Sequence, residues 1–240
     1  MNPVIIIPAR FESSRLPGKP LIELNGIPMI IRTCMSCESS FGKESIYVAT
    51  DDTRIEKICN AAGYHVILTS RDCLTGTDRV AEASKKFNDD TYIINVQGDE
   101  PMITQNEILK IYQHGKLNKS TITCKTKIYD ETEFRNSHIV KVVTDVNDNL
   151  LYASRAPIPT TKNKKFVNAY KHVPVYGFLK KDLDKFYKLG EHRKSALENI
   201  EDVEMLRFIE NGMNIKCINV EYDGYSVDLP EDVIKIEKLL

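Results

Sequence analysis

The chain has 240 residues, of which 42% are hydrophobic and 28% are charged, which is typical of a globular protein with a substantial hydrophobic core. The chain has 33 Lys and Arg residues and 34 Asp and Glu residues, so it lacks the basic excess of a general nucleic-acid-binding protein, and this class is disfavoured. No apolar run approaches the roughly 20 residues that cross a bilayer, and the start MNPVIIIPAR lacks the features of a signal peptide. We therefore expect a soluble, cytoplasmic protein that binds neither nucleic acid nor membrane.

The six cysteines are scattered widely and do not resemble a disulfide framework. Cys34 and Cys37 form a single C-x-x-C pair, but a structural zinc site needs two further ligands at suitable spacing. The pair falls in a predicted helix, where positions three apart share a face. We expect both thiols to be inert core residues.

Strand-like and helix-like segments alternate through the first half of the chain. The predicted strands are Val4–Pro8, Ser45–Ala49, Tyr64–Leu68 and Thr91–Val96, and the predicted helices are Pro28–Ser39, one ending near Gly63, Asp78–Phe87 and Thr104–Leu117. This alternation predicts a parallel, doubly wound α/β sheet with helices on both faces. Ligands of such sheets bind beyond the carboxyl ends of the strands, which directs attention to the loops 9–20 and 97–101.

The second half of the chain is less regular. Its predicted strands are Thr121–Lys127, Ile139–Thr144, Ala169–Leu179 and Ile215–Val220, and its predicted helical regions are Ser195–Asn211 and Pro230–Leu240. No repeat and no clean linker separates it from the first half. One α/β domain with an inserted or appended β-rich lobe fits this pattern.

Two common nucleotide-binding signatures are absent: no G-x-G-x-x-G follows a predicted strand, and Gly18-Lys19 is not part of a Walker A loop. The loop after the first strand nevertheless carries Arg10, Arg15 and Lys19 at the ligand edge of the sheet. Such a loop can wrap a triphosphate, with cations and backbone N–H groups meeting its oxygens. The alternative is a solvated surface loop.

The run A-R-x-x-S-x-R-L-P-G-K-P at 9–20 resembles the signature loop of the CMP-sugar-acid synthetases, most closely of the 3-deoxy-manno-octulosonate (Kdo) cytidylyltransferase family. The resemblance continues in order through 49–52, 76–79, 95–101, 140–143, 152–155, 172–177, 197–207 and 227–232. It implies one domain over 1–240 with a Rossmann-like, mostly parallel sheet of the nucleotidyltransferase type. It also implies a smaller β-rich dimerisation lobe, drawn mainly from about 125–190, and a homodimer.

The resemblance further implies transfer of CMP from CTP to the anomeric hydroxyl of Kdo, with release of pyrophosphate, for lipopolysaccharide or capsule synthesis. The implied cofactor is Mg²⁺, as one or two ions. No side-chain nucleophile is required for this reaction, because positioning and charge stabilisation carry it.

Functional residues can be transferred from the family position by position. The implied nucleotide-binding residues are Pro8, Ala9, Arg10, Arg15, Lys19, Thr77, Arg79 and Asp99; the catalytic ones are Arg15, Lys19, Asp99 and Asp228; the metal ligands are Asp99 and Asp228. Taken alone, Asp228 also suits a turn or a helix cap, and Thr77 suits a cap at the start of its helix. A helix start at 76–79 is in either case a natural anion site.

The implied sugar-binding residues are Gln97, Arg155, His172, Tyr176, Glu198 and Glu201. A guanidinium such as that of Arg155 matches a carboxylate with two parallel hydrogen bonds. Without the family, Glu198, Glu201 and Glu204 fit a solvated helical stripe at i, i+3 spacing, and His172 fits a structural histidine.

The chain departs from the family pattern at three places: Pro174 replaces a glycine, Ile158-Pro159-Thr160 lacks an aromatic residue, and Ser226 precedes Val227. The first two touch the sugar side. They leave the acid sugar open between Kdo, 8-amino-3,8-dideoxy-manno-octulosonate and another acid sugar. A catalytically silent nucleotide-binding regulator is the alternative of a different class. The missing glycine fingerprint disfavours an NAD-dependent oxidoreductase.

Overall fold

The computed structural model describes residues 3–12, 16–191, 193–222, 226–227 and 229–240. The strands within these ranges are β1 (Pro3–Ala9), β2 (Glu23–Leu24), β3 (Ile27–Pro28), β4 (Ile46–Thr50), β5 (His65–Leu68), β6 (Tyr92–Val96), β7 (Thr121–Ile128), β8 (Lys141–Thr144), β9 (Leu150–Ser154), β10 (Ala169–Leu179) and β11 (Ile215–Asn219). The helices are α1 (Met29–Phe41), α2 (Thr53–Ala61), α3 (Gly76–Ser84), α4 (Gln105–Asn118), α5 (Glu131–Arg135), α6 (Lys180–Leu189), α7 (Ala196–Glu201), α8 (Met205–Glu210) and α9 (Pro230–Glu237). None of these helices is both long and apolar enough to cross a membrane.

The central sheet has the strand order β11-β7-β10-β6-β1-β4-β5. The pairs β6–β1, β1–β4, β4–β5 and β7–β11 are parallel, whereas β10 is antiparallel to both of its neighbours in the central sheet. The predicted class, an α/β fold with a mostly parallel sheet, is confirmed. The predicted lobe boundaries stay predictions. Strand β10 pairs with β6 through residues 175–179, and with β8 of the β8–β9 hairpin through Tyr170 and Lys171.

Apolar side chains fill both faces of this sheet. Along β1, Ile5 and Ile7 pack into one core cluster together with Ile30 of α1, while Ile6 packs into the other together with Val80 of α3. Successive strand residues point to opposite faces, so a continuous apolar run supplies two cores at once. This arrangement is the doubly wound pattern expected from the alternation of strands and helices.

The C-x-x-C pair lies inside the first core cluster. Cys34 and Cys37 are both free thiols with no exposed surface, and burial raises the pKa of both. A buried protonated thiol is a poor nucleophile and a poor ligand. The expectation that they are inert core residues agrees with this placement.

Several elements differ from the sequence-based expectation. The helical region expected over 195–211 is two short helices, because Asp202 between them adopts a left-handed conformation with φ of 51°. Strand β9 and helix α6 were not predicted. Pro174 lies where the pairing of β10 with β7 shifts register, between Val173 and Tyr176. A bulge tolerates the missing N–H of a proline, which explains how this departure from the family pattern fits the strand.

Gly115 of α4 provides the space in which Tyr92 of β6 packs. A Cβ atom at Gly115 would lie 1.7 Å from the Tyr92 hydroxyl oxygen. We predict that Gly115→Ala lowers the free energy of unfolding by about 1–3 kcal/mol, because the tyrosine ring has to move. In an exposed helix the same substitution would be stabilising by about 1 kcal/mol.

Urea denaturation monitored by circular dichroism measures this change. The matched control is Gln113→Ala, at an exposed position of the same helix, which is expected to leave the unfolding free energy nearly unchanged. An increase in stability for Gly115→Ala would contradict the close packing of α4 on β6.

Candidate active site

The loop that follows β1 is held in a tight turn. Gly18 has φ of 72°, and its N–H donates to the Phe11 carbonyl over 3.0 Å. A side chain at Gly18 would meet the Phe11 ring at 3.2 Å, and the Arg54 guanidinium lies 3.3 Å from the centre of the same ring. Glycine suits both the left-handed backbone and the close approach. This turn brings Lys19, the next residue, to the ligand edge of the sheet.

Lys19 and Asp99 meet at the carboxyl ends of β1 and β6. The Lys19 ammonium lies 2.5 Å from Oδ2 of Asp99, and both side chains are partly exposed, at 13% and 28%. The Val227 N–H donates to the carbonyl oxygen of Asp99 over 3.1 Å. The structure therefore brings together two of the predicted catalytic residues from positions 80 apart in the chain.

Arg15 and Asp228, the other two predicted catalytic residues, lie outside the described residues. Their predicted roles, and that of Asp228 as a second metal ligand, stay predictions.

A cleft of about 260 Å³ opens over this edge of the sheet. The predicted site residues that line it are Pro8, Ala9, Arg10, Lys19, Arg79, Gln97 and Asp99. The position agrees with the expected location of a ligand beyond the carboxyl ends of parallel strands. The individual roles of these residues stay predictions.

Arg79 of α3 lines the cleft, and side chains on the protein side of the cleft hold its guanidinium in place. One nitrogen donates to Thr69 Oγ1 over 2.6 Å, and the other lies 3.0 Å from Oδ2 of Asp51. The residue is 3% exposed. A buried cation with a carboxylate partner is held in a single orientation, so Arg79 offers the cleft a positioned charge rather than a flexible one.

The amino end of α3 already holds an anion, which is the carboxylate of Glu204. Glu204 accepts hydrogen bonds from the N–H of Gly76 at 3.0 Å, from the N–H of Thr77 at 3.1 Å, and from the Thr77 hydroxyl. Burial raises the pKa of Glu204, against the hydrogen bonds from Thr77 that lower it. The anion site expected at 76–79 therefore exists, but a side chain of the protein occupies it. The helix cap is Thr75, not Thr77.

Arg207 ties the same helix to α7 through two carboxylates. Its guanidinium binds Asp78 at 2.6 and 3.0 Å and Glu198 at 2.6 and 2.7 Å. Arg207 and Glu198 are fully buried, and Asp78 is 3% exposed. Glu198 is neither a solvated stripe residue nor a cleft-lining one: its predicted contact with the sugar requires the opening of a buried ion pair, which is costly.

Arg155 and Glu201 are likewise engaged within the protein. The Arg155 guanidinium donates to the carbonyl oxygens of Glu201 at 2.7 Å, Asp202 at 3.0 Å and Ser137 at 3.2 Å. The Glu201 carboxylate accepts from the N–H of Arg155 and the hydroxyl of Ser154. The guanidinium therefore acts as a cap on the last carbonyls of α7.

His172 and Tyr176 both lie on β10, on either side of its register shift, with ring centroids 5.2 Å apart. Nε2 of His172 is 2.8 Å from the Thr123 hydroxyl, and burial lowers the pKa of His172 to about 3. Burial also raises the pKa of Tyr176. Both rings are therefore neutral near pH 7. Neither belongs to the described lining of the cleft, so their contact with the sugar stays a prediction.

Sequence reasoning missed three charged residues of the cleft: Lys194, Asp202 and Glu204. Lys194 lies in a polar stretch without periodicity, and Asp202 sits in the unexpected break between α7 and α8. Glu204 offered a weak signal, because it continues the i, i+3 series of Glu198 and Glu201. Only the fold shows which of these carboxylates reaches the amino end of α3.

Known proteins resemble this chain over essentially its whole length. Residues 4–215 match the family model described as cytidylyltransferase. The 3-deoxy-manno-octulosonate cytidylyltransferase 2 of Hydrogenovibrio crunogenus is 40% identical over 249 residues, which cover 100% of this chain and 98% of that protein. The 8-amino-3,8-dideoxy-manno-octulosonate cytidylyltransferase of Shewanella frigidimarina is 38% identical and covers 99% of this chain and 98% of that protein.

A solved structure supports the same relationship. CMP:2-keto-3-deoxy-manno-octonic acid synthetase complexed with CTP matches with a TM-score of 0.91 and 36% identity, covering 100% of this chain and 98% of that one.

The buried ion cluster generates a stability prediction. Arg207→Met leaves the carboxylates of Asp78 and Glu198 buried without their cation, so we expect a loss of about 3–5 kcal/mol in the free energy of unfolding. Urea denaturation measures it. Arg135→Met, which removes an exposed i, i+4 partner of Glu131, is the control and should cost less than about 1 kcal/mol. Similar losses for both variants would contradict the structural role of Arg207.

His172 generates a pH prediction. A histidine in the unfolded chain binds a proton below about pH 6.5, whereas His172 in the native state stays neutral down to about pH 3. The free energy of unfolding should therefore fall as the pH is lowered from 7 toward 3, by at most about 1.4 kcal/mol per pH unit from this group. In His172→Gln the loss between pH 7 and pH 5 should be smaller than in the wild type.

Urea titrations at pH 7 and pH 5 test this difference. His65→Gln, at an exposed position, should keep the wild-type loss. An undiminished loss in His172→Gln would show that His172 is not buried as a neutral ring.

Proposed function

This chain belongs to the cytidylyltransferase family, and on that basis we propose that it transfers CMP from CTP to the anomeric hydroxyl of Kdo. The products are CMP-Kdo and pyrophosphate, and the product serves lipopolysaccharide or capsule synthesis. The observation that carries the proposal is the pairing of Lys19 with Asp99 in a cleft at the carboxyl ends of β1 and β6. Full-length likeness to a synthetase complexed with CTP supports the same assignment.

The proposed reaction is an in-line displacement at the α-phosphorus of CTP. The anomeric hydroxyl of the sugar loses its proton to water as its oxygen forms the new bond to phosphorus. The bond from phosphorus to the bridging oxygen breaks, and pyrophosphate leaves with the electron pair. Positioning and charge stabilisation carry most of the catalysis in such transfers. Arg10 and Lys19 supply cations from the loop after β1, and Arg79 supplies a fixed cation from α3.

Lys19 changes partner in this proposal. Without substrate its ammonium is balanced by Asp99, and both side chains are partly exposed. Neither side chain is fully buried, so a substrate can reach the pair from the cleft. The triphosphate therefore replaces Asp99 as the partner of Lys19, which leaves the carboxylate open to a cation.

We also propose that Mg²⁺, as one or two ions, binds at Asp99, with Asp228 as the predicted second ligand. The donor set fits: carboxylate oxygens are the hard ligands that Mg²⁺ prefers, and substrate phosphates and water complete its shell. The described part of the chain contains no group of three His, Cys, Asp or Glu residues that could hold a metal by itself. When bound, Mg²⁺ supplies charge stabilisation to the phosphate oxygens and activates the attacking hydroxyl.

The sugar identity remains the second part of the proposal. Relatives of nearly equal identity carry the names of the Kdo enzyme and of the 8-amino-3,8-dideoxy enzyme, so the amino sugar is the second candidate substrate. The homodimer and the cytoplasmic location stay predictions.

The experiment that tests the function measures pyrophosphate release with Mg²⁺ and CTP against Kdo, its 8-amino analogue and a nonulosonic acid. We expect release with Kdo. Release with the amino sugar alone would keep the mechanism and change the substrate. Binding of CTP without release of pyrophosphate in the presence of any of these sugars would favour a nucleotide-binding regulator and contradict the proposal.

Lys19 and Asp99 generate the catalytic prediction. Lys19→Met and Asp99→Asn should each lower kcat by about 10²–10³-fold, because Lys19 supplies a cation to the triphosphate and Asp99 holds the proposed Mg²⁺. Melting temperatures should stay close to the wild-type value, since the pair is partly exposed. The control is Lys57→Met, an exposed lysine of α2. Near wild-type turnover for Asp99→Asn would contradict the assignment.

A further inference from the structure

The turn after β6 carries two neighbouring carboxylates that lie in different surroundings. Asp99 lines the cleft, whereas Glu100 is 1% exposed and does not belong to the described lining of the cleft. The Glu100 N–H donates to the Gln97 carbonyl over 3.1 Å, and the Glu100 carbonyl accepts from the Ile103 N–H over 3.3 Å. Burial of a carboxylate is costly unless donors meet it. The donors to the Glu100 side chain therefore matter for the structure around this turn.

One of these donors comes from the C-terminal part of the chain. The Tyr222 hydroxyl donates to Oε2 of Glu100 over 3.0 Å, across 122 positions of the sequence. Tyr222 is 6% exposed, and its side chain belongs to the same core cluster as that of Ile103. A hydrogen bond to a charged acceptor is stronger than one between neutral groups. The pair therefore fixes residue 222 against the turn that follows β6.

A second contact ties the same turn to the chain further along. The Val227 N–H donates to the Asp99 carbonyl over 3.1 Å, and the Val227 side chain is fully buried beside Met29 and Ile236. The next residue in the sequence is Asp228, the predicted second metal ligand, which lies outside the described residues. The turn thus holds the chain through the Glu100 side chain and through the backbone of Asp99, just before the predicted ligand.

We propose that Tyr222 and Glu100 are positioning residues for the divalent cation of the proposed reaction. Their hydrogen bond keeps the C-terminal segment on the turn after β6, so that Asp99 and the ligand expected from that segment can meet the same ion. Groups that hydrogen-bond behind metal ligands orient those ligands and tune the affinity for the metal. This inference rests on the proposed function and adds to it two residues that act through others.

The first measurement needs neither metal nor substrate. Tyr222→Phe removes the hydroxyl and keeps the ring, so the core packing stays. We expect exchange of the Val227 amide with deuterium oxide, followed by NMR, to become about 10-fold faster, because the segment then opens more often. Tyr64→Phe is the matched control, since the Tyr64 hydroxyl also donates to a carboxylate, Oε1 of Glu38, at 2.6 Å and outside the described lining of the cleft. This control should leave the exchange at Val227 unchanged.

The second measurement is the Mg²⁺ dependence of pyrophosphate release at saturating CTP and acid sugar. In Tyr222→Phe the half-saturating Mg²⁺ concentration should rise by about 10-fold, which is the lower end of the range for lost partners of metal ligands. At saturating Mg²⁺, kcat and the KM for the acid sugar should stay within about twofold of the wild-type values, because the substrate contacts are unchanged. Tyr64→Phe should keep the wild-type Mg²⁺ requirement.

Glu100→Gln tests the acceptor. Its amide oxygen can still accept from the Tyr222 hydroxyl, so the Mg²⁺ requirement should rise less than in Tyr222→Phe. A rise in Glu100→Gln with none in Tyr222→Phe would show that Glu100 acts without the tyrosine, and it would overturn the inference.

The remaining outcomes are distinct. Unchanged exchange of the Val227 amide in Tyr222→Phe would overturn the inference, because the hydroxyl would then not hold the segment. Faster exchange with an unchanged Mg²⁺ requirement would also overturn it, since the pair would then serve stability alone, and the proposed function would stand. A wild type that releases no pyrophosphate with any acid sugar would overturn the proposed function and, with it, the role of the pair in metal binding.

Discussion

The buried guanidinium of Arg207 is the interaction on which the geometry of the cleft depends. It joins Asp78 at the start of α3 to Glu198 of α7, and it packs 3.9 Å from the centre of the Phe186 ring. Burial of a cation is tolerable only with both carboxylates present. Because Glu204 lies three residues before Arg207, the same anchor holds its carboxylate at the amino end of α3, where the helix dipole favours negative charge. The segment of the cleft wall that carries Glu204 is thereby fixed to α3.

Charges in and around the cleft fall into two physical classes. Arg79 and Arg207 are almost completely buried and bound by carboxylates, so they form a frame that substrate does not rearrange. The pairs Lys19–Asp99 and Lys194–Asp202 are partly exposed and exchangeable. Of these two pairs, Lys19–Asp99 is the one that the proposed function assigns to a substrate group, the triphosphate. The buried, paired arginines keep the geometry of the cleft fixed, whereas a ligand can displace the counter-ions of the partly exposed lysines.

In the nucleotide half of the cleft, the structure has Lys19 and Asp99 at the edge of the sheet where the sequence predicts them. Lys19 and Asp99 follow strands that are recognisable as short apolar runs, and the carboxyl ends of parallel strands meet at one edge. On the other half, Glu198 and Arg155 were assigned to the sugar, and the structure places both in hydrogen bonds within the protein. Their chemistry fits either role, and the pattern of residues along a helix does not show which side chains are buried.

The sequence by itself determined the α/β class, the doubly wound layers and the edge of the sheet at which the cleft opens, because periodicity and short strand runs are local properties of the chain. The tertiary structure alone decided the antiparallel insertion of β10 between β6 and β7, and the partner of each charged group. Arg207 meets Asp78 across 129 positions, and Gly76 meets Glu204 across 128. Which charged groups are buried and paired depends on contacts between residues this far apart in the chain, and a local sequence pattern does not encode such contacts.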